Sequence, residues 1–167
     1  MPIPSGYTSG QVVQAVPTAL ATAIFNETQS SGTNGGTATS GSWFKRVLNT
    51  TVVNNIVGCS IASSVITLPA GTYCVTALAP NYKTDKSQFR LQNTTDATTI
   101  IYGTSNIAPA GANTGMTGTV QAYFTLAAQK DIELQNRVES TFATFGLGIA
   151  ASFGGEVYAT IQIEKVA

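Results

Sequence analysis

The stretch of sequence that decides the fold class is residues 119–139, TVQAYFTLAAQKDIELQNRVE. It contains two runs in which apolar and polar residues alternate with a period of two, which is typical of half-buried β-strands. The positions that share one face are Val120, Ala122, Phe124 and Leu126 in the first run, and Ile132, Leu134, Asn136 and Val138 in the second. Residues 127–130 join the two runs, so the stretch predicts a hairpin of two antiparallel strands.

The same alternation continues along the rest of the chain, in segments rich in the β-branched and aromatic residues that strands favour. We predict further strands near residues 43–49, 52–58, 64–68, 72–79, 87–93 and 98–104. In a last strand over residues 156–164, one face carries Val157, Ala159, Ile161 and Ile163, opposite Tyr158. No window combines helical spacing of apolar residues with caps. The pattern predicts an all-β protein, an antiparallel jelly-roll β-sandwich.

Residues 1–42 differ in composition from the rest of the chain. Residues 30–42, SSGTNGGTATSGS, are too rich in Gly, Ser and Thr to build a core. They follow a short stretch whose apolar residues are Val12, Val13, Val16, Leu20, Ile24 and Phe25. We therefore predict an extended N-terminal arm and linker over residues 1–42 and a jelly-roll domain over residues 43–167.

Charge and composition exclude several function classes. Eight Lys and Arg balance eight Asp and Glu, only 10% of the residues are charged, and there is no histidine. Without a basic cluster we expect no nucleic-acid partner, and without an apolar run of about 18 residues we expect no membrane insertion. The lack of histidine excludes Ser-His-Asp and Cys-His mechanisms and removes the commonest metal ligand. We expect no enzymatic activity, no cofactor and no metal site.

The two cysteines, Cys59 and Cys74, fit no zinc-binding spacing. No secretory signal is visible at the N-terminus. We predict two buried free thiols in neighbouring strands, because free cysteine behaves as a small hydrophobic residue. A disulfide is the alternative.

Several side chains are candidates for function, each with a structural alternative. Trp43, the only tryptophan, is predicted to pack against the core or another subunit, and a sugar-stacking role is the alternative. Arg90 is predicted to pair with a carboxylate at an interface, with an anionic glycan as the alternative. The polar strand face that carries Asp131, Glu133, Arg137 and Glu139 is interpreted as a solvated face or an ion-pair stripe between subunits.

Eight short pieces of the sequence, in order along the chain, carry a resemblance to a known family. They are GTNGGT (32–37), WxxRxLN (43–49), LPAGTY (68–73), APxY (79–82), RLxNxT (90–95), GT (103–104), GLG (146–148), and EVY (156–158) followed by IxK (163–165). With these pieces the chain resembles the trimeric C1q/TNF-like jelly-roll domain of phage virion proteins, which include capsid decoration proteins and tail-fibre tips. The resemblance covers about residues 25–166.

This resemblance implies a homotrimer in which surplus apolar strand surface is buried along a threefold axis. Aromatic side chains bury much area at small entropy cost, so the candidates for the trimer interface are Tyr73, Tyr123, Tyr158 and Phe124. Residues 43–167 would then be the trimerisation domain.

The expected function is that of a non-enzymatic capsid decoration (cement) protein, assembled in the host cytoplasm and carried on the virion. Its arm would contact the major capsid protein or other virion subunits through Val12, Val13, Val16, Leu20, Ile24 and Phe25. The alternative is a receptor-binding knob of a tail or head fibre that recognises a host surface glycan. The candidate ligand contacts are then Trp43, Tyr82 and Arg90.

Overall fold

The structure is a computed structural model that describes residues 20–166. These residues form eleven β-strands and no helix. The strands are β1 (Ala21–Gln29), β2 (Phe44–Lys45), β3 (Thr50–Asn54), β4 (Ser60–Ala62), β5 (Val65–Leu68), β6 (Gly71–Tyr82), β7 (Asp85–Asn93), β8 (Thr98–Ala108), β9 (Gly115–Leu126), β10 (Lys130–Val138) and β11 (Glu156–Lys165). The predicted all-β class is confirmed.

The strands form two antiparallel sheets that face each other. One has five strands in the order β3-β1-β11-β6-β9. The other has six strands, with the order β4-β5-β10-β7-β8 and with β2 paired to β10. The apolar faces meet in one core, where Phe25, Tyr73, Leu134 and Ile161 are almost completely buried. Val120 and Ile132, from the two runs of the predicted hairpin, lie in the same core. The predicted hairpin itself is wrong, because β9 pairs with β6 in the five-stranded sheet whereas β10 pairs with β5 and β7 in the other sheet.

The predicted N-terminal arm is wrong for residues 21–42, because β1 lies inside the five-stranded sheet. It pairs with β11 on one side and β3 on the other. Phe25 has no exposed surface and Ile24 is half-buried, so neither can serve as an arm contact, whereas Leu20 is 50% exposed. Val12, Val13 and Val16 lie outside the described residues.

The Gly/Ser/Thr-rich segment that follows β1 is also part of the fold. The Gly35 and Gly36 N–H groups donate to the carbonyls of Gly148 and Thr144, and Ala38 forms a β-bridge with Phe142. The backbone hydrogen bonds replace the side-chain packing that this composition cannot supply. The sandwich therefore begins at Ala21 rather than at residue 43.

The predicted inward face of the last strand is wrong at Val157 and Tyr158. A bulge in the pairing of β1 with β11 interrupts the register between Asn26 and Thr28, which pair with Thr160 and Val157. A bulge changes the face to which neighbouring side chains point. Val157 is therefore 55% exposed, and Tyr158 is buried.

Both cysteines are free, but only one is buried. Cys59 belongs to the core cluster near β4, whereas Cys74 lies on the outer face of β6 and is exposed. Cys59 lies outside the strands, and the neighbours of β6 are β11 and β9. The prediction of two buried thiols in neighbouring strands is therefore wrong in both respects.

Candidate functional site

The outer faces of the two sheets differ sharply in charge. The charged residues in the five-stranded sheet are Glu27, Glu156, Glu164 and Lys165. Of these, Glu27 and Glu156 are buried. In the six-stranded sheet, strands β2, β7 and β10 carry Lys45, Asp85, Lys86, Arg90, Lys130, Asp131, Glu133 and Arg137. One outer face is thus almost free of charge, whereas the strands of the other sheet carry half of the sixteen charged residues.

Exposed apolar side chains accompany the uncharged face. Tyr123 on β9 is 73% exposed, and Leu78 on β6 and Val157 on β11 are 43% and 55% exposed. Cys74 pairs directly across the sheet with Tyr123. Interface centres are depleted in charged residues and enriched in aromatic ones, so this face has the composition of a protein contact surface.

Tyr123 is the only predicted trimer-interface residue that has most of its side chain exposed. Tyr73 has no exposed surface, and its hydroxyl donates to the Pro69 carbonyl at 2.7 Å. Phe124 is half-buried and packs on Tyr73 with ring centroids 5.8 Å apart. Tyr158 is buried and its hydroxyl donates to the Thr33 carbonyl at 2.7 Å, so it fixes the segment after β1. Tyr73 and Tyr158 are therefore not available for an interface.

On the charged face, Trp43 and Arg90 lie together. The Arg90 guanidinium carbon is 4.4 Å from the centre of the Trp43 ring, a cation–π contact. Tyr102, on β8 opposite Arg90, lies 5.9 Å from Trp43 between ring centroids. Trp43 is half-buried and belongs to no core cluster among the described residues, so it does not pack in the core, and its packing against another subunit stays a prediction. Phe44 points inward instead, against Val138 and Leu147.

Neutral groups hold the Arg90 guanidinium in place. Its Nε donates to Gln135 Oε1 at 2.8 Å and its Nη1 to Thr99 Oγ1 at 3.1 Å. No carboxylate contacts it within the described residues, so the predicted carboxylate partner is absent from the protomer.

A groove of about 840 Å³ runs beside Trp43 on this face. Its lining includes Trp43, Gln88, Asn106, Arg137 and the pair formed by Lys86 and Glu139. The Lys86 ammonium lies 3.0 Å from the Glu139 carboxylate. Arg90 and Tyr102 are not lining residues, so they support the indole from outside the groove.

Tyr82 does not join this site. It lies at the end of β6 among other aromatic rings, 6.0 Å from Phe142 and 5.6 Å from Phe145 between centroids. The Lys83 ammonium lies 5.7 Å from the centres of the Tyr82 and Phe142 rings. Sequence reasoning brought Tyr82 into the ligand group but missed Tyr102 and Gln88. Gln88 lies on β7 and Tyr102 on β8, and the pairing of β7 with β8 and with β10 brings them to the face that carries Trp43.

Three backbone N–H groups converge on one carboxylate elsewhere in the fold. Glu156 accepts hydrogen bonds from the N–H groups of Gly32, Ser152 and Ala151, at 3.0, 2.8 and 3.0 Å. These bonds hold the pKa of Glu156 below its ordinary value. Glu156 therefore ties residues 151–152 to the segment after β1.

The described residues supply no arrangement for metal binding and no helix that could cross a membrane. Across residues 20–166, no three His, Cys, Asp or Glu side chains lie close enough to hold a metal ion. The same part of the chain contains no helix long and apolar enough to span a bilayer.

Comparison with solved structures identifies the fold. Murine APRIL at pH 5.0 is 10% identical, with a TM-score of 0.57 over 88% of this chain and 99% of that chain. The globular domain of zebrafish complement 1qA is 13% identical, with a TM-score of 0.54 over 88% and 96%. Eiger TNF from S. frugiperda is 11% identical, with a TM-score of 0.59 over 89% and 93%. The protein has the TNF/C1q-like jelly-roll fold.

The fold that the sequence resemblance implied is thereby confirmed, and the phage origin stays a prediction. No protein-family description and no curated protein matches this sequence. The similarity to the TNF-like and C1q-like domains extends over almost their whole length.

Proposed function

We propose that this protein is a non-enzymatic, homotrimeric structural protein of a phage virion, carried on the head shell as a decoration protein. The phage assignment rests on the sequence pieces that resemble phage virion domains. The observation that supports self-association is the unequal charge of the two sheets, because the five-stranded sheet has an almost uncharged outer face with exposed Tyr123, Leu78 and Val157. Burying that face against further copies would cost little free energy, because almost no charged group would lose its hydration.

Self-association is tested by measuring the mass of the full chain with multi-angle light scattering. We expect three times the chain mass of 17.3 kDa. Tyr123→Glu places a charge on the uncharged face and should reduce the mass to that of one chain. Tyr102→Glu makes the same change on the other sheet, where Tyr102 is 55% exposed, and should leave the trimer intact. A monomeric wild-type chain, or equal behaviour of the two variants, contradicts the proposal.

The location on the virion is tested by immunogold labelling with antibody against residues 43–167. Gold spread over the head at the lattice spacing is the expected result for a decoration protein. Deletion of residues 2–19 tests whether the segment before β1 attaches the trimer to shells. The deletion ends there because β1 begins at Ala21 and belongs to the five-stranded sheet. Full decoration by the shortened chain would contradict attachment through this segment.

A second candidate is the receptor-binding knob of a tail or head fibre. The groove beside Trp43 favours it, because an aromatic wall with convergent polar groups is typical of sites for small ligands. Gold confined to the tail tip or to a fibre would support this candidate and would contradict head decoration.

A further inference from the structure

We propose that the groove beside Trp43 is a binding site for a sugar that carries a carboxylate, such as a uronic or sialic acid unit of a surface polysaccharide. The proposal goes beyond the proposed function, since it concerns the charged face of the protomer and holds for a decoration protein as well as for a fibre knob.

Trp43 supplies the stacking wall. It is half-buried, is braced by Arg90 at 4.4 Å and Tyr102 at 5.9 Å, and still lines the groove. An indole held in this way presents a large rigid apolar surface at little further cost in side-chain entropy. A pyranose ring has an apolar face of C–H groups that can pack on such a surface.

Arg137 supplies the charge. Its side chain is exposed on β10 and makes no ion pair or side-chain hydrogen bond with any residue in the range 20–166. Two of the three charged residues in the lining, Lys86 and Arg137, are basic, and only Glu139 is acidic. Because Glu139 is already paired with Lys86 at 3.0 Å, the unpaired charge in the groove is positive. A guanidinium binds a carboxylate through two parallel hydrogen bonds.

One amide oxygen remains for a sugar hydroxyl. Gln88, directly opposite Arg137 in the pairing of β7 with β10, donates through Nε2 to Gly103 O and Ser105 Oγ, each at 3.3 Å. These bonds orient the amide and use only its nitrogen, so Gln88 Oε1 remains as an acceptor. Hydroxyl donors satisfy such acceptors, which favours a polyhydroxylated acid over an acidic peptide.

The experiment is a fluorescence titration of the full chain, in which Trp43 is the only tryptophan and therefore reports on this groove alone. The probes are trigalacturonate, an α2,8-linked sialic acid trimer, neutral maltotriose and the peptide triglutamate. We expect the emission of Trp43 to change with one of the two acidic sugars at millimolar concentration or below, and not with maltotriose. The acidic sugar that changes the emission shows whether the site prefers a uronic or a sialic acid.

Variants connect the signal to named groups. Arg137→Gln should weaken binding at least tenfold, because hydrogen bonds to charged groups stabilise more than neutral ones, and Arg137→Lys should recover part of the loss. Lys130→Gln is the matched control, with the same change of charge on the same strand about 23 Å away and outside the groove. It should leave the affinity unchanged. Trp43→Phe, measured by calorimetry, should weaken binding.

The proposal is overturned if neither acidic sugar changes the emission of Trp43, if maltotriose binds as well as they do, or if triglutamate binds better. Equal effects of Arg137→Gln and Lys130→Gln would also overturn it. Each of these results leaves the trimer mass and the position on the virion unaffected, so failure of this inference is distinguishable from failure of the proposed function.

Discussion

The Arg46 guanidinium and the Glu27 carboxylate lie 2.8 Å apart, and their side chains are 0% and 1% exposed. Arg46 also donates to the carbonyls of Pro80 and Leu147, each at 3.3 Å. The pair therefore connects β1 and β6 to the segment that contains Leu147. Loss of hydration raises the pKa of Glu27 and lowers that of Arg46, and the attraction between the two charges opposes both shifts.

Removal of one partner of this ion pair should be strongly destabilising. Arg46→Met leaves the Glu27 carboxyl buried without its cation, and we expect the free energy of unfolding to fall by about 3–5 kcal/mol. The double variant Glu27→Leu with Arg46→Met leaves no unpaired charge and should recover most of that loss. The measurement is urea unfolding at one fixed protein concentration.

Lys86→Met provides the control for that series, since it breaks the ion pair with Glu139 in which the side chains are 75% and 49% exposed. Exposed pairs stabilise by less than about 1 kcal/mol. If Arg46→Met lowers the free energy of unfolding by no more than Lys86→Met does, the buried pair does not have the structural role described above.

Glu156 should make stability dependent on pH in the acid range. Its folded-state pKa is lowered by the N–H groups of Gly32, Ser152 and Ala151. A carboxyl whose pKa is lower in the folded state stabilises the fold above its unfolded-state pKa, and this stabilisation is lost as the pH falls through the folded-state value. We expect Glu156→Gln to be less stable than wild type at pH 7, with the difference shrinking as the pH falls towards 3. The midpoints of urea unfolding of both proteins between pH 7 and pH 3 measure this difference in stability. A difference that does not change with pH would contradict a lowered pKa of Glu156 in the folded state.

Local alternation was enough to predict most strands, because the side-chain period of a strand is written in neighbouring residues. The alternation does not predict strand β1, because its inward positions are Ala23, Phe25 and Glu27, and a charged residue at the third of them breaks the apolar pattern. Its partner Arg46 is 19 residues away, and nothing local in the sequence shows that the two charges neutralise each other.

The candidate site was predicted only in part. Trp43 and Arg90 were singled out by residue type, but their contact depends on the pairing of β2 with β10 and of β10 with β7. Tyr102 enters through the pairing of β7 with β8, where register shifts interrupt the alternation. The bulge between Val157 and Thr160 on β11 turns Tyr158 inward. Such irregularities depend on contacts between distant strands and not on local composition.

The two thiols should differ in reactivity. Burial raises the pKa of Cys59 to about 11, so the folded protein holds little Cys59 thiolate at neutral pH, and access to it is also blocked. Cys74 is exposed on the face proposed for self-association. We expect maleimide to label Cys74 rapidly in the monomeric Tyr123→Glu variant, to label it slowly in the trimer, and to leave Cys59 unlabelled in both. Equal labelling of Cys74 in the two forms would show that the trimer does not cover this face.

Two glycines should respond differently to the same substitution. Gly118 lies on β9, and a Cβ atom built there would overlap the ring of Phe89, which is buried in the core. Gly111, in the loop between β8 and β9, has no neighbouring atom within 4 Å of its Cβ position. Gly118→Ala should therefore reduce the free energy of unfolding by about 1–3 kcal/mol, as overpacking does, whereas Gly111→Ala should change it by less than about 0.5 kcal/mol.

The substitution at Gly118 also tests the packing of β9 against the six-stranded sheet. If Phe89 is displaced to admit the methyl group, its neighbour Arg90 and the stacked Trp43 should move with β7, because both rest on the outer side of that strand. The emission spectrum of Trp43 should then shift in Gly118→Ala and not in Gly111→Ala. An unchanged stability and an unchanged spectrum in Gly118→Ala would show that β9 and β7 are not packed as closely as the structure has them.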